Sequence, residues 1–404
     1  MTEEIFTPPS GELVLQRVPE PMKAPLRAWD RADLLLVELL DGNHGGFGAI
    51  GPDDSLLIVG DGFGALSCAL RSHDPVVVME SAAGREALAH NLEANGLDAL
   101  TPVSILDLGD GDGADMRFGR VVLKIPKSIA ELRDVLFRIR PFLAPDARLV
   151  VAAMDKHIPE SVEQVLTEVI GPTTRCLATG RARHFETTFD SELKAGKNPW
   201  PTSWRAYGAT LVNHGGGFSP SAIDAGTNFL LRTVENFAGH MDGVPQGSPM
   251  RIVDLGCGNG IVGLSAAVDV AAEFGPTEVI AVDDSALAID ATKRSWKATG
   301  VGSQIVLTAH HTYRLAQVVD EASVHIVVVN PPFHVDTAIG DETAWSMFVD
   351  AHRVLVDGGL MIAVGNRHLA YHAKLAKIFG EADVMGANNR FVVHQARRSS
   401  RALS

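Results

Sequence analysis

The sequence predicts an α/β chain made of two tandem domains with the same order of elements, the first a degenerate copy of the second. Three observations carry this. A glycine turn follows an apolar run twice, at Gly60-Asp61-Gly62-Phe63-Gly64 and at Gly256-Cys257-Gly258-Asn259-Gly260. In each half a small-residue helix, a strand closed by an acid and a strand closed by a proline corner come next. A length of 404 residues, 46% of them hydrophobic, suffices for two cores.

In the first half, Ser55–Val59 reads as a strand entering the glycine turn, and Ala65–Leu70 as the helix leaving it. Val76–Met79 is a second strand, ended by Glu80. Arg120–Lys124 is a third, ended by Lys124-Ile125-Pro126-Lys127. Residues 181–189 alternate as a strand does, and 193–201, rich in Gly, Asn and Pro, read as a linker. Strands over 204–213 open the second half, so the domains are 1–200 and 201–404. A loop is expected at 239–249. Ile252–Leu255 then runs into the second glycine turn, with Gly263 and Leu264–Val268 as its helix. Val279–Val282 ends at Asp283, and Val324–Val329 ends at Asn330-Pro331-Pro332-Phe333.

Bulk properties exclude several classes. Cys68, Cys176 and Cys257 are far apart, with no CxxC pair, which argues against a disulfide framework or a structural zinc site and for a reducing, cytoplasmic setting. Residues 1–10 are acidic and proline-bearing, unlike a signal peptide, and no apolar run reaches the ~20 residues that span a bilayer. The net charge of −14 opposes generic nucleic-acid binding. A local basic groove has candidates in Arg181, Arg183, Lys194, Lys197, Arg367, Lys374, Lys377, Arg390, Arg397, Arg398 and Arg401.

The last corner carries the chemistry. Proline donates no N–H, so the Asn330 and Pro331 carbonyls are free to face a cavity, and the Asn330 side chain adds an acceptor. Phe333 offers a flat face for a planar ring. An exocyclic amine on a flat ring fits both. Upstream, Gly256, Gly258 and Gly260 let the backbone approach a ligand closely, and Asp283 stands where a nucleotide-binding sheet places its ribose-hydroxyl acceptor. The first half departs from this pattern: Phe63 crowds its turn, and Lys124 and Lys127 cannot accept an amine's hydrogens but can meet phosphates.

The order glycine turn, strand-end acid, Asn-Pro-Pro-Phe resembles the class I (Rossmann-like) S-adenosylmethionine (SAM) methyltransferases that modify exocyclic amines. The chain is further similar to the bacterial rRNA guanine-N2 methyltransferases built from two tandem methyltransferase domains, the N-terminal one degenerate. The stretches Arg27-Ala28-Trp29-Asp30, Phe63–Leu70, Ile125-Pro126-Lys127, Gly171-Pro172-Thr173-Thr174, Asn366-Arg367-His368-Leu369 and Asn388–Val393 favour the 23S rRNA branch over its 16S sister.

The resemblance implies SAM held by Asp254, Gly256, Cys257, Gly258, Gly260 and Asp283. A helix near 218–228 (Phe218, Asp224, Gly226, Thr227) closes over it. Catalysis is implied at Asn330, Pro331, Pro332 and Phe333, and RNA contacts at Phe333, Arg367, Lys124 and Lys127. Partners would be 23S rRNA, with no membrane and no metal, and the chain a monomer. Thr308-Ala309-His310-His311 departs from the family, in which an acid or amide at that strand end contacts the adenine; His310 and His311 are the candidates here. The competing readings are a 16S guanine, DNA adenine or protein glutamine substrate, or a non-catalytic RNA-binding assembly protein.

Overall fold

The computed structural model describes residues 4–20, 26–41, 47–51, 54–110, 115–217, 222–332 and 337–399. The chain divides into two compact units, Met1–Trp200 with His214–Gly216, and Pro201–Asn213 with Gly217–Ser404. The return of three residues to the first unit was not anticipated. Asp134, 2% exposed, accounts for it: its carboxylate accepts from Gly215 N (2.9 Å), Asn198 Nδ2 (2.8 Å) and Arg138 Nε (2.7 Å).

The first unit contains β1 (Glu4–Phe6), β2 (Leu13–Leu15), α1 (Arg31–Leu40), β3 (Leu56–Val59), α2 (Ala65–Ala69), β4 (Val76–Val78), α3 (Ala82–Ala94), β5 (Phe118–Lys124), α4 (Ile129–Ile139), β6 (Leu143–Met154), α5 (Val162–Val169), β7 (Thr173–Arg175) and β8 (Ala182–Thr188). Its sheet has the order β4-β3-β5-β6-β8-β7, parallel as far as β6.

The second unit contains β9 (Thr202–Ala206), β10 (Ala209–Asn213), α6 (Ala225–Val234), β11 (Met250–Leu255), α7 (Ile261–Phe274), β12 (Thr277–Asp283), α8 (Ala286–Thr299), β13 (Ile305–His311), β14 (Val324–Val329), α9 (Thr337–Val354), β15 (Leu355–Asn366), α10 (Tyr371–Phe379), β16 (Asp383–Ala387) and β17 (Phe391–Arg397). The sheet order is β13-β12-β11-β14-β15-β17-β16. It repeats the first sheet strand for strand and adds β13 at the edge. At the matching place in the first unit a single bridge, Val78 to Val103, forms among the described residues.

Central strands read as continuous apolar runs because both faces are covered. All six residues of β14 are buried. Alternate residues feed two cores. Ile252, Ile326, Val328 and Ile362 pack toward α6 and α7, while Val253, Val327, Val329 and Met361 pack toward Phe348 of α9 and Leu375 of α10. Serine caps start α3, α4 and α8, and aspartate caps start α1 and α6. The parallel strands therefore end on one edge of each sheet, and that edge carries every polar strand-end residue noted above. Among the described residues no helix is long and apolar enough to cross a membrane.

Candidate active site

In the second unit the ends of β11, β12 and β14 meet the start of α6 around a cavity of about 370 Å³. Its lining gathers Asp224, Thr227, Asp254, Gly256, Cys257, Gly258, Asp283, Asn330 and Pro332. Gly260 and Gly226 brace it from behind, as N-cap of α7 and in the first turn of α6. Pro331 is buried. Phe218 and Phe333 lie outside the described residues.

The glycine turn is fixed by two acids. Asp254, 3% exposed, accepts from Gly263 N of α7 (2.9 Å), and a Cβ on Gly263 would lie 2.7 Å from that carboxylate. Burial pushes the Asp254 carboxyl up to about 7, against the pull of that backbone bond. Asp283 uses one oxygen on Gly258 N (3.0 Å) and the other on Ser285 N (2.9 Å), tying the turn to β12. Its carboxyl is raised, again by burial first. Gly258 has φ +57° and no heavy atom within 4 Å of the place a Cβ would occupy, so the turn presents bare backbone to the cavity. Cys257 is buried beside Thr292, which donates to its sulfur at 3.3 Å, and burial drives the thiol far above its usual range. It is packing, not a nucleophile.

Asn330 has the most telling surroundings. Its Nδ2 donates to Thr227 Oγ1 at 2.8 Å and lies 3.4 Å from Asp224 Oδ2, the N-cap carboxylate of α6. A carboxylate only accepts, so the amide nitrogen must face it. The amide oxygen is thereby turned away, and Asn330 Oδ1 is buried with no hydrogen-bond partner among the described residues. A buried acceptor left open costs about 1–3 kcal/mol unless a ligand N–H fills it. Thr227 and Asp224, expected only as cofactor contacts, hold the amide in this orientation.

Sequence reasoning missed other lining residues. Asp284, Thr312, Tyr313 and Met347 face the cavity, whereas His310 and His311 do not line it. Both histidines belong to β13 itself, and His311 Nε2 lies 2.9 Å from Asp284 O. The signal lay two residues further on, where the chain leaves the strand.

The first unit repeats the arrangement with altered chemistry. Register pairs Leu123 with Val59 of β3 and Val329 with Leu255 of β11, so Lys124 follows its last pair as Asn330 follows its own. Lys124 Nζ donates to Asp30, the N-cap of α1 (2.9 Å), and to Asp33 at the third helical position (2.8 Å). Those are the helix positions that Asp224 and Thr227 occupy in α6. Lys124, expected among the phosphate contacts, is paired here with these two carboxylates. Burial nonetheless lifts Asp33 to about 6. Glu80 is bonded to Ser104 Oγ (2.8 Å) and Ile105 N (2.6 Å). Lys127 is exposed.

Five of the other eleven candidate cations are also engaged. Arg183 pairs with Asp155 (2.6 Å), Lys374 with Asp341, and Arg398 with Glu321 (3.6 Å), while Arg397 donates to His240 O (2.9 Å). Arg367 donates to Asn388 O at 3.1 and 2.7 Å. The fold also brings ligand atoms of Cys176, His184 and Glu186 within 4.8 Å of one another. That proximity is cross-strand and invisible in residue spacing, and Arg148 already stands 3.4 Å from Glu186.

Comparison with known proteins agrees with this layout. The family model described as RLMG N-terminal domain matches residues 3–191, and the methyltransferase small domain matches residues 208–395. The ribosomal RNA large subunit methyltransferase G of Streptomyces coelicolor is 36% identical over 97% of this chain and 99% of its own length. The protein of the same name from Ectopseudomonas mendocina is 35% identical over 98% and 100%. Among solved structures, the T. thermophilus 16S rRNA N2 G1207 methyltransferase in complex with AdoMet and guanosine has the same fold. It covers 98% of each chain with a TM-score of 0.72 at 22% identity. With two relatives this similar along nearly the whole length and both halves matched in order, the chain belongs to the ribosomal RNA large subunit methyltransferase G family.

Proposed function

We propose that the second unit transfers a methyl group from SAM to the exocyclic N2 amine of a guanine in 23S rRNA. The observation that carries this is the open, buried Asn330 Oδ1 beside a cavity of cofactor size. The names of the relatives support the large-subunit substrate. SAM fits the cradle: Gly256 and Gly258 offer backbone without side chains, and Asp283 and Asp284 offer acceptors for ribose hydroxyls. When bound, it supplies an electrophilic methyl on a sulfonium.

The protein's task is to present the amine. The N2 lone pair is delocalised into the ring and is a weak nucleophile. Asn330 Oδ1 accepts one amine hydrogen and the Pro331 carbonyl the other, which favours a tetrahedral nitrogen with its lone pair aimed out of the ring. This is positioning and preorganised electrostatics. No general base is needed, because the proton becomes acidic only once the methyl has arrived. Phe333 stacks on the extruded base, and a base inside a duplex cannot reach such a site. The first unit serves RNA binding or structure, with Lys127 as its remaining strand-end cation. The chain works in the cytoplasm as a monomer.

The test is transfer of labelled methyl from SAM to protein-free 23S and 16S rRNA in parallel, with nucleoside analysis. N2-methylguanosine in 23S rRNA alone is expected. Label in 16S alone moves the substrate to the sister branch and leaves the mechanism standing. SAM binding with no label in either removes protein-free rRNA as the substrate.

A further inference from the structure

Helix α6 has a second working face. Asp224 and Thr227 turn toward Asn330, while Ala225, Asn228, Phe229, Arg232 and Thr233 form a stripe along the next side of the helix. This stripe faces Asn388, Arg390 and Phe391 of the β16–β17 turn across an open groove. No carboxylate lines it. Arg232 and Arg390 are both exposed, and neither forms an ion pair among the described residues. That is unusual in a chain of net charge −14.

The groove is built as well as charged. Phe229 and Phe391 lie face to face, with centroids 6.4 Å apart and planes 27° apart, and form its apolar floor. The Arg390 guanidinium sits over the Phe391 ring at 5.0 Å. Arg367 donates twice to Asn388 O and Asn388 Oδ1 accepts from Arg390 N (2.8 Å), so the turn is held in shape. Tyr207 at the β9–β10 turn donates to Asn228 Oδ1 at 2.6 Å. From Thr227 to Arg232 the helix advances about 7.5 Å, so a strand whose base enters beside Asn330 passes Arg232 within a step or two of its backbone.

We propose that this groove binds the phosphodiester backbone of single-stranded RNA flanking the target nucleotide, with Arg232 and Arg390 as its phosphate contacts. The proposal rests on the rRNA reading above. It adds two residues that neither local motif nor spacing singles out as a pair, since one lies on a helix and the other on a turn 158 positions later.

The test uses the full-length chain and its Arg232→Ala/Arg390→Ala double variant. Methyl transfer to protein-free 23S rRNA is followed between 50 and 200 mM salt, and SAM affinity is titrated separately. Loss of two phosphate contacts should raise KM for RNA about tenfold and flatten the dependence of log KM on log salt by about 1.4. SAM affinity should be unchanged, and Arg232→Lys/Arg390→Lys should restore most of the loss because it keeps both charges. If the alanine variant keeps the wild-type KM and salt slope while the wild type is active, the groove is not a phosphate site and the rRNA reading stands. Wild-type protein that binds SAM yet labels neither protein-free 23S rRNA nor 23S rRNA within the large subunit overturns the rRNA reading, and the groove's role falls with it.

Discussion

Asn330 shows how a residue type becomes a chemical group only through its neighbours. The sequence shows an amide at a strand end, and the pattern around it is local enough to be read. It does not show which end of the amide faces the cavity. That is decided by Asp224 and Thr227, 106 and 103 residues earlier, and no local pattern reports a contact over that separation. Replacing Asn330 with alanine removes the acceptor, and kcat should fall about 10²–10³-fold while SAM titration is unchanged. Retention of near-full rate would sink the amine-presenting role. Thr227→Val keeps the shape and removes the hydroxyl that accepts from Asn330 Nδ2 at 2.8 Å. One such bond is worth about 1 kcal/mol, so kcat should drop several-fold to about tenfold, read as single-turnover rate at saturating RNA.

At the scale of elements, apolar runs, glycine turns and capping residues were legible because each is written in a few adjacent positions. The strand ends Asp283 and Asn330 are of this kind. The short β1–β2 hairpin was not found, since three-residue strands carry too little periodicity to register. The lining residues Thr312 and Tyr313 escaped because their place depends on where β13 stops. The first turn of α7 also leaves no room for added bulk. Gly263→Ala would put a methyl 2.7 Å from the Asp254 carboxylate and 2.8 Å from its Cβ. We expect a loss of about 1–3 kcal/mol in denaturant unfolding of the second unit, with weaker SAM binding in titration. A variant as stable as wild type would show that α7 slides freely and that Asp254 does not hold it.

For the whole molecule, stability should depend on pH through acids that the fold buries. In α4, burial first, then Glu80 and Asp134, pushes the Glu131 carboxyl from 4.5 up to about 7. The sign follows from linkage: between these values the unfolded chain has already released the proton and the folded chain has not. Glu131 therefore favours folding below pH 4.5, and that contribution is lost as pH rises to about 7. Glu131→Gln carries no such proton. Its unfolding midpoint relative to wild type should rise by roughly 5–10 °C between pH 5 and pH 8, followed by thermal scans of both proteins. A constant difference across that range would mean that Glu131 ionises freely.

The path of the chain between the units bears on how such a gene can be cut and recombined. Residues 201–213 belong to one unit and 214–216 to the other, where Gly215 N answers the buried carboxylate of Asp134. A crossover or a split after Trp200 therefore leaves that carboxylate short of a donor in the upstream fragment. A split after Gly216 instead takes the β9–β10 hairpin away from α8, whose Ser295 and Thr299 hydroxyls accept from Val212 N (2.9 Å) and Thr210 N (3.0 Å). Two separately translated halves should complement only if both carry residues 201–216. The first unit thus needs residues beyond Trp200, whereas the second keeps its hairpin on α8 when the chain is cut there.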